Sequence, residues 1–218
     1  MTATHGIPTD AVDFYDELRA ENTRTWWQAN ADRYAASVRR PLEALLDALE
    51  DEFGAGRLYR PNRDVRFSAD KSPYKDHQGA LAARVPGIGY YVQIGAEGLL
   101  TGGGYYPTGP DQLPRYRAAV DAPQPGLALA TIAARLSDAG FTLAGDRVAT
   151  RPRGIRADHP RVELLRFKHL FARRDHGEPA WLSTPELADH VRADWRAVRP
   201  LVEWLTEHVG TTEQPRSR

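Results

Sequence analysis

From Thr9 to Gly54 the apolar residues recur every three or four positions, the period of helices that bury one face. In DAVDFYDELRA, Val12, Phe14, Tyr15 and Leu18 share such a face, with Thr9 placed to cap the first turn. ENTRTWWQANADRYAASVRR repeats the pattern with Trp26, Trp27, Tyr34 and Val38. PLEALLDALEDEFG extends it through Leu42, Leu45, Leu46, Leu49 and Phe53 until Gly54 stops it. Pro41 has no amide proton to give an interior turn, so a kink or restart is expected there. These stripes read as core rather than as the lining of a ligand box.

Past Gly54 the period shortens to two. Asp64, Arg66 and Ser68 fall on one face of a strand whose other face carries Val65 and Phe67. ALAARV, YYVQI and LLTGGGYY follow, separated by the turn signals PGIG and GAEG, which predicts an antiparallel meander. Helices are expected over DQLPRYRAAVD and over LALATIAARLSDAG, the latter closing on Gly140, and then a short hairpin around Ala144, Gly145 and Asp146. Residues 160–173 predict a further helix, with Val162, Leu165, His169 and Leu170 near one face. A last helix opens at Ser183-Thr184-Pro185-Glu186, and Pro200 is expected to kink or divide it before Leu201, Trp204 and Leu205 pack. The tail TTEQPRSR has no apolar face and is expected to be disordered. The fold class that results is α+β: a meander of about four or five strands against N-terminal and C-terminal helices. It forms a single domain over residues 9–209, with 210–218 as the tail. The chain lacks GxGxxG and GxxxxGK[ST], which argues against a dinucleotide fold and a P-loop.

Composition narrows the chemistry. With 218 residues, 41% hydrophobic and 27% charged, the chain suits one domain or two small ones on a shared core. It has no cysteine, which excludes disulfides, thiolate metal ligands and thiol catalysis. No basic region precedes an apolar run in MTATHGIPTD, and no apolar run nears the ~18 residues of a membrane span, so a soluble cytoplasmic chain with no membrane partner is expected. Lys plus Arg equals Asp plus Glu at 29 each, so any nucleic-acid role must rest on a local patch. The 29 cations divide into 26 Arg and three Lys, and Lys71 and Lys75 lie in one five-residue segment. In so arginine-biased a chain, Lys71, Lys75 and Lys168 mark places where a compact, deprotonatable ammonium is of use.

That segment lies within RLYRPNRDVRFSADKSPYKDH, residues 57–77. Arg63 and Arg66 offer planar forks for carboxylate or phosphate oxygens, on opposite faces unless the strand bulges, and Asp64 and Asp70 can hold those forks. Ser72-Pro73 reads as the cap and first residue of a short helical turn whose free amides would add donors. The leading reading is a pocket for a small anionic ligand, a phosphorylated one among the candidates. Arg66, Lys71 and Lys75 bind it, and Tyr74 donates a hydrogen bond or a proton. A lysine of lowered pKa could serve as base or nucleophile, but the spacing names no reaction and no cofactor. No metal is expected, since Asp70, Asp76 and His77 lack HExxH or facial-triad spacing. Two alternatives stay open. One is a basic face for RNA or DNA, six cations against three aspartates in residues 57–77, interleaved with Tyr59, Tyr74, Tyr90, Tyr91, Tyr105 and Tyr106. The other is an internal ion-pair network. Gly102, Gly103 and Gly104 either admit a ligand to the backbone or floor a packed neighbour. His159 is either an acid or base or part of a turn that opens a helix.

The RDxRF strand followed by DKxxYK resembles the signature of a bacterial and fungal family known as domain of unknown function 2461. The likeness continues in the NxRxWW stretch at Asn22 to Trp27 and in the glycine triplet before Pro107. It extends to Leu113 with Arg117, Asp158-His159-Pro160, and Leu164-Leu165-Arg166, over about residues 10–207. Arginine-rich substitution on the expected surface is the main departure. The resemblance implies a single domain and supports the choice of site, with Gly103, Gly104, Arg117 and His159 added, while the scarcity of lysine leads to Lys168 being expected to point toward the same pocket. The family carries no established activity, and no oligomeric state follows from it.

Overall fold

The computed structural model describes residues 6–64 and 70–214. The expected strand of Val65 and Phe67 on one face and Arg66 and Ser68 on the other therefore lies outside the described residues. Among the described residues the chain is α+β, with a six-stranded antiparallel sheet in the order β1-β2-β3-β4-β6-β5. The meander is β2 (His77–Val85), β3 (Ile88–Gly95) and β4 (Gly98–Tyr105), as the alternating runs predict. A further strand, β1 (Gly56–Leu58), not marked by the sequence pattern, pairs with β2 in a register that sets Gly56 opposite Ala82 and Leu58 opposite Ala80. Three residues are too few to show a period in sequence.

By its contacts the chain forms two compact units. The first comprises Met1–Ala82, Tyr91–Thr101 and Asp175–Ala193, and the second Ala83–Tyr90, Gly102–Arg174 and Asp194–Arg218. This division also sorts charge. The first unit holds 12 Lys and Arg against 19 Asp and Glu, the second 17 against 10, so a chain of zero net charge is built from an acidic unit and a basic one.

In the first unit, α1 (Asp10–Ala20) buries Ala11, Val12, Phe14, Tyr15 and Leu18. Thr9 is itself helical and makes no side-chain cap; Asp10 and Asp13 in the first turn favour the positive helix end instead. The side-chain cap falls to Thr23, whose hydroxyl accepts from the Trp26 amide at 3.1 Å and starts α2 (Arg24–Ala29). Trp26 and Trp27, expected in the core, are half-buried. After α3 (Ala31–Tyr34), a π-helical turn at Ala35–Arg39 leads into α4 (Arg40–Phe53), with Pro41 in its first turn. This is the expected restart: the wider turn accommodates a residue that cannot donate to the preceding one. Leu42, Leu45, Leu46, Leu49 and Phe53 are buried, and Gly54 ends the helix at a φ of 91° that a side chain would strain.

In the second unit, α5 (Gln112–Asp121) and α6 (Pro123–Asp138) stand where the periodicity puts them. The region after them differs from expectation. β5 (Thr142–Ala144) does not fold back as a hairpin but pairs with β6 (Leu170–Gly177), Leu143 opposite Ala172. The helix expected over 160–173 shrinks to α7 (Val162–Leu165) and gives way to β6. Val162, Leu165, His169 and Leu170 fit one helical face, but Leu170 and Ala172 also alternate as buried strand residues, and pairing with β5 decides for the strand from Leu170 on. The last helix, α8 (Leu187–His208), runs through Pro200 undivided. Residues 211–214, expected to lack partners, are tied down: the Gln112 side chain donates to Gly210 O at 2.7 Å and Asp111 accepts from the Glu213 amide at 3.0 Å.

Candidate functional site

Residues 61–63 and 73–75 run antiparallel. Asn62 and Tyr74 form a bridge, the Arg63 amide donates to Pro73 O and the Lys75 amide to Pro61 O, each at 2.9 Å. This ladder sets the segment up to Arg63 beside the segment from Pro73. Its outgoing strand is held twice over. The Tyr74 ring stacks on Trp27 with centroids 4.1 Å apart and planes 9° from parallel. The Asn22 side chain then satisfies both backbone groups of Tyr74, accepting from its amide at 3.1 Å and donating to its carbonyl at 3.0 Å. Two stretches that stand out separately in sequence, NxRxWW and DKxxYK, are thus one contact. Tyr74 is buried, and its ring is a structural anchor.

Asp70 gathers the polar contacts of this segment. It pairs with Arg63, and its Oδ1 accepts from the Ser72 amide at 2.9 Å and the Ser72 hydroxyl at 2.6 Å. The two Ser72 bonds, with Arg63 adding to them, hold the Asp70 carboxyl below its usual range. Ser72-Pro73 opens no helical turn, because Asp70 has captured the Ser72 amide and Pro73 leads straight into the bridge. The donors expected there are therefore not free. Asp64 and Lys71 flank residues 65–69 and are exposed.

Lys75 is placed differently from the arginines. Its ammonium donates to Arg60 O at 3.0 Å and lies 5.5 Å from the Tyr59 ring centre, with no carboxylate against it among the described residues. Partial burial, then the Arg60 charge, lowers its pKa from the ordinary lysine value. Asp76 turns to His77 instead, Oδ1 to Nδ1 at 2.8 Å; burial raises its pKa, and the His77 contact outweighs that to leave it lowered.

Two polar residues of this unit escape a reading by motif. Gln78 is buried at the start of β2, accepts from the Tyr34 hydroxyl at 2.7 Å and donates to the carbonyls of Tyr59 and Gly79 at 2.7 and 2.9 Å. It fixes the segment that carries Arg60 O. An amide at an inward-facing strand position was the available signal. The Tyr15 hydroxyl is buried without a partner among the described residues, and burial, with Tyr34 and Asp76 nearby, pushes its pKa up, so it remains a neutral donor.

The other sequence-selected residues belong to the second unit. A Cβ on Gly102 would stand 2.3 Å from Ala172 O, and one on Gly104 2.3 Å from Leu170 O; on Gly103 it would meet Val198 and Gly89 at 3.0 and 3.1 Å. The triplet lets β6 and α8 come close to β4. His159 accepts from the Arg161 amide on Nδ1 at 3.1 Å, so its Nε2 carries the proton toward Asp121, 3.2 Å away. Arg161 itself caps the end of α5 through Val120 O and Asp121 O at 2.7 and 2.9 Å. Arg117 is half-buried, its Nε without a partner among the described residues. Lys168 is exposed, while its carbonyl accepts from the Tyr105 hydroxyl at 2.9 Å.

No helix among the described residues is long and apolar enough to cross a membrane. No curated protein and no solved structure matches the chain. One family model, described as a conserved hypothetical protein, matches residues 10–204, a span that contains the loop, its Asn22 and Trp27 supports and every residue of the second-unit set. On that match over most of its length, the chain belongs to the conserved hypothetical protein family DUF2461.

Proposed function

We propose that this chain is a cytoplasmic domain that binds a small anionic ligand, a phosphorylated one among the candidates, at the loop of residues 57–77. The observation that carries the reading is Lys75. Its ammonium is partly buried, held by one carbonyl and an aromatic face, and faces no carboxylate among the described residues. A cation so placed lacks a counter-charge that an anion would supply, and binding would raise its pKa back toward that of a free lysine. From the sequence, Lys71 and Arg66 are the further cations proposed to share the anion, Arg66 lying outside the described residues. Arg63, Asp70 and Ser72 are already satisfied by one another, which favours a supporting role for them. An ammonium of lowered pKa is also the form a base or an amine nucleophile takes, so a reaction at this atom is compatible with the site.

Calorimetric titration with inorganic pyrophosphate tests the reading. We expect Lys75→Gln to weaken binding by about tenfold, the loss of one charge-assisted contact, with little change in melting temperature. Lys75→Arg keeps the charge but not the compact head, and should recover only part of the affinity. Unchanged affinity in both variants would leave the loop as an internal scaffold.

A further inference from the structure

The second unit carries an excess of positive charge that the loop of the first does not explain. Nine of the unit's cations lie in residues 147–174, against Asp158 and Glu163. Those two acids pair with Arg156, Arg147 and Arg166. Arg151 and Arg153 are exposed, and Arg151 reaches only the Ile155 carbonyl; Lys168 is exposed as well. None of these three has a carboxylate partner among the described residues.

Beside these cations stands an aromatic stack. Tyr106 is the most exposed large apolar side chain among the described residues, at 68%. Its ring lies 4.9 Å from that of His169, which in turn stacks on Phe171 at 5.9 Å with planes 6° apart. The stack is joined to the basic segment by backbone bonds: the Asp146 amide donates to His169 Nε2 at 3.2 Å, the Lys168 amide donates to Asp146 O at 2.7 Å, and Arg147 bridges Phe167 with its guanidinium 4.1 Å over that ring. Arg151 and Arg153 sit on the loop that continues from this ladder.

We propose that this face of the second unit binds single-stranded nucleic acid. Tyr106 would serve as the stacking platform, with Lys168, Arg147, Arg151 and Arg153 along the phosphates. An exposed ring beside cations, of which Lys168, Arg151 and Arg153 have no carboxylate partner among the described residues, is what a flexible strand needs, because every base has a face to stack and every linkage a charge to neutralise. An acidic peptide would use the charges but leave Tyr106 idle. Zero net charge over the chain does not oppose the reading, because exposed charges are screened within about 8 Å at physiological salt and a local excess governs what binds locally. The site shares no residue with the anion loop, so either reading can fail alone.

The test is fluorescence anisotropy of labelled oligo(dT) with the full chain across a salt series. Expected are binding that weakens steeply with salt, a loss of about tenfold in Tyr106→Ala, and a log–log salt slope shallower by about two in Arg151→Gln/Arg153→Gln. Tyr106 is exposed enough for the first variant to fold, which circular dichroism checks, and Lys75→Gln should leave oligo(dT) affinity unchanged. The proposal is overturned by no binding at low salt, by unaltered affinity in Tyr106→Ala, or by inorganic polyphosphate or poly-glutamate binding as tightly as the oligonucleotide.

Discussion

The two units use the same arginine-rich alphabet for different ends. In the acidic unit guanidinium groups meet carboxylates: Arg33 takes Asp10 and Glu17, Arg39 takes Glu43, and Arg63 takes Asp70. In the basic unit acids are scarcer, and several arginines, some of them also paired with a carboxylate, tie down backbone carbonyls. Arg115 holds Val209 O, Arg161 holds Val120 O and Asp121 O, and Arg166 holds Val148 O and Ala149 O. A planar fork with several donors suits both tasks, and an ammonium suits neither as well. Set against that background, Lys75 in one unit and Lys168 in the other stand out as cations left for something else.

The comparison can be broken first at its scaffolds. Gly102→Ala should be the most damaging change, about 3 kcal/mol or more, because its Cβ would meet the β6 backbone, which cannot move aside as a side chain end could. Chemical denaturation would measure it, and a loss below about 1 kcal/mol would return the triplet to the list of ligand-approach candidates. In the first unit, Asn22→Ala should cost about 1–3 kcal/mol by stranding both backbone groups of Tyr74. It should also weaken pyrophosphate binding without touching the second unit's affinity for oligo(dT). An unchanged pyrophosphate titration would show that the clamp does not set the loop.

The smallest effect is a pH dependence. His169 accepts the Asp146 amide on Nε2, which requires a neutral ring, and burial lowers its pKa from 6.5 despite Asp146 nearby. A histidine whose folded pKa is depressed is easier to protonate when unfolded. Its contribution is therefore complete above 6.5 and is lost as pH falls through the folded value. Because the ring is only partly buried, the melting temperature should fall modestly from about pH 7 to about pH 5, and by less in His169→Gln. Equal slopes would remove His169 from the account of the stack.

The meander, the N-terminal helices and α5 and α6 were legible because each region keeps one period over a stretch bounded by clear turn signals. Residues 160–173 were not, since Leu170 fits both the helical face of Val162, Leu165 and His169 and the alternation with Ala172, and only pairing across to β5 separates the two. The basic and aspartate-rich loop was visible in sequence, but its supports were not. Nothing local says that Asn22 lies against Tyr74, 52 residues away, or that Gln78 braces the strand under Lys75. The opposite charges of the units were hidden for a related reason. Each unit is assembled from three separated segments, so neither has a contiguous stretch whose composition could be read.

The central claim is that Lys75 and Lys168 serve different ligands, and three lysines are few enough to follow one by one. Proton and carbon NMR of the lysine side chains, assigned with single Lys→Arg variants, would record each titration free and with ligand. The account predicts that Lys75 titrates below 10.5 in the free chain and shifts upward on adding pyrophosphate. Lys168 should stay unmoved by pyrophosphate and respond to oligo(dT) alone. A Lys75 signal that titrates at the ordinary value and ignores pyrophosphate would contradict it, as would one ligand moving both lysines together.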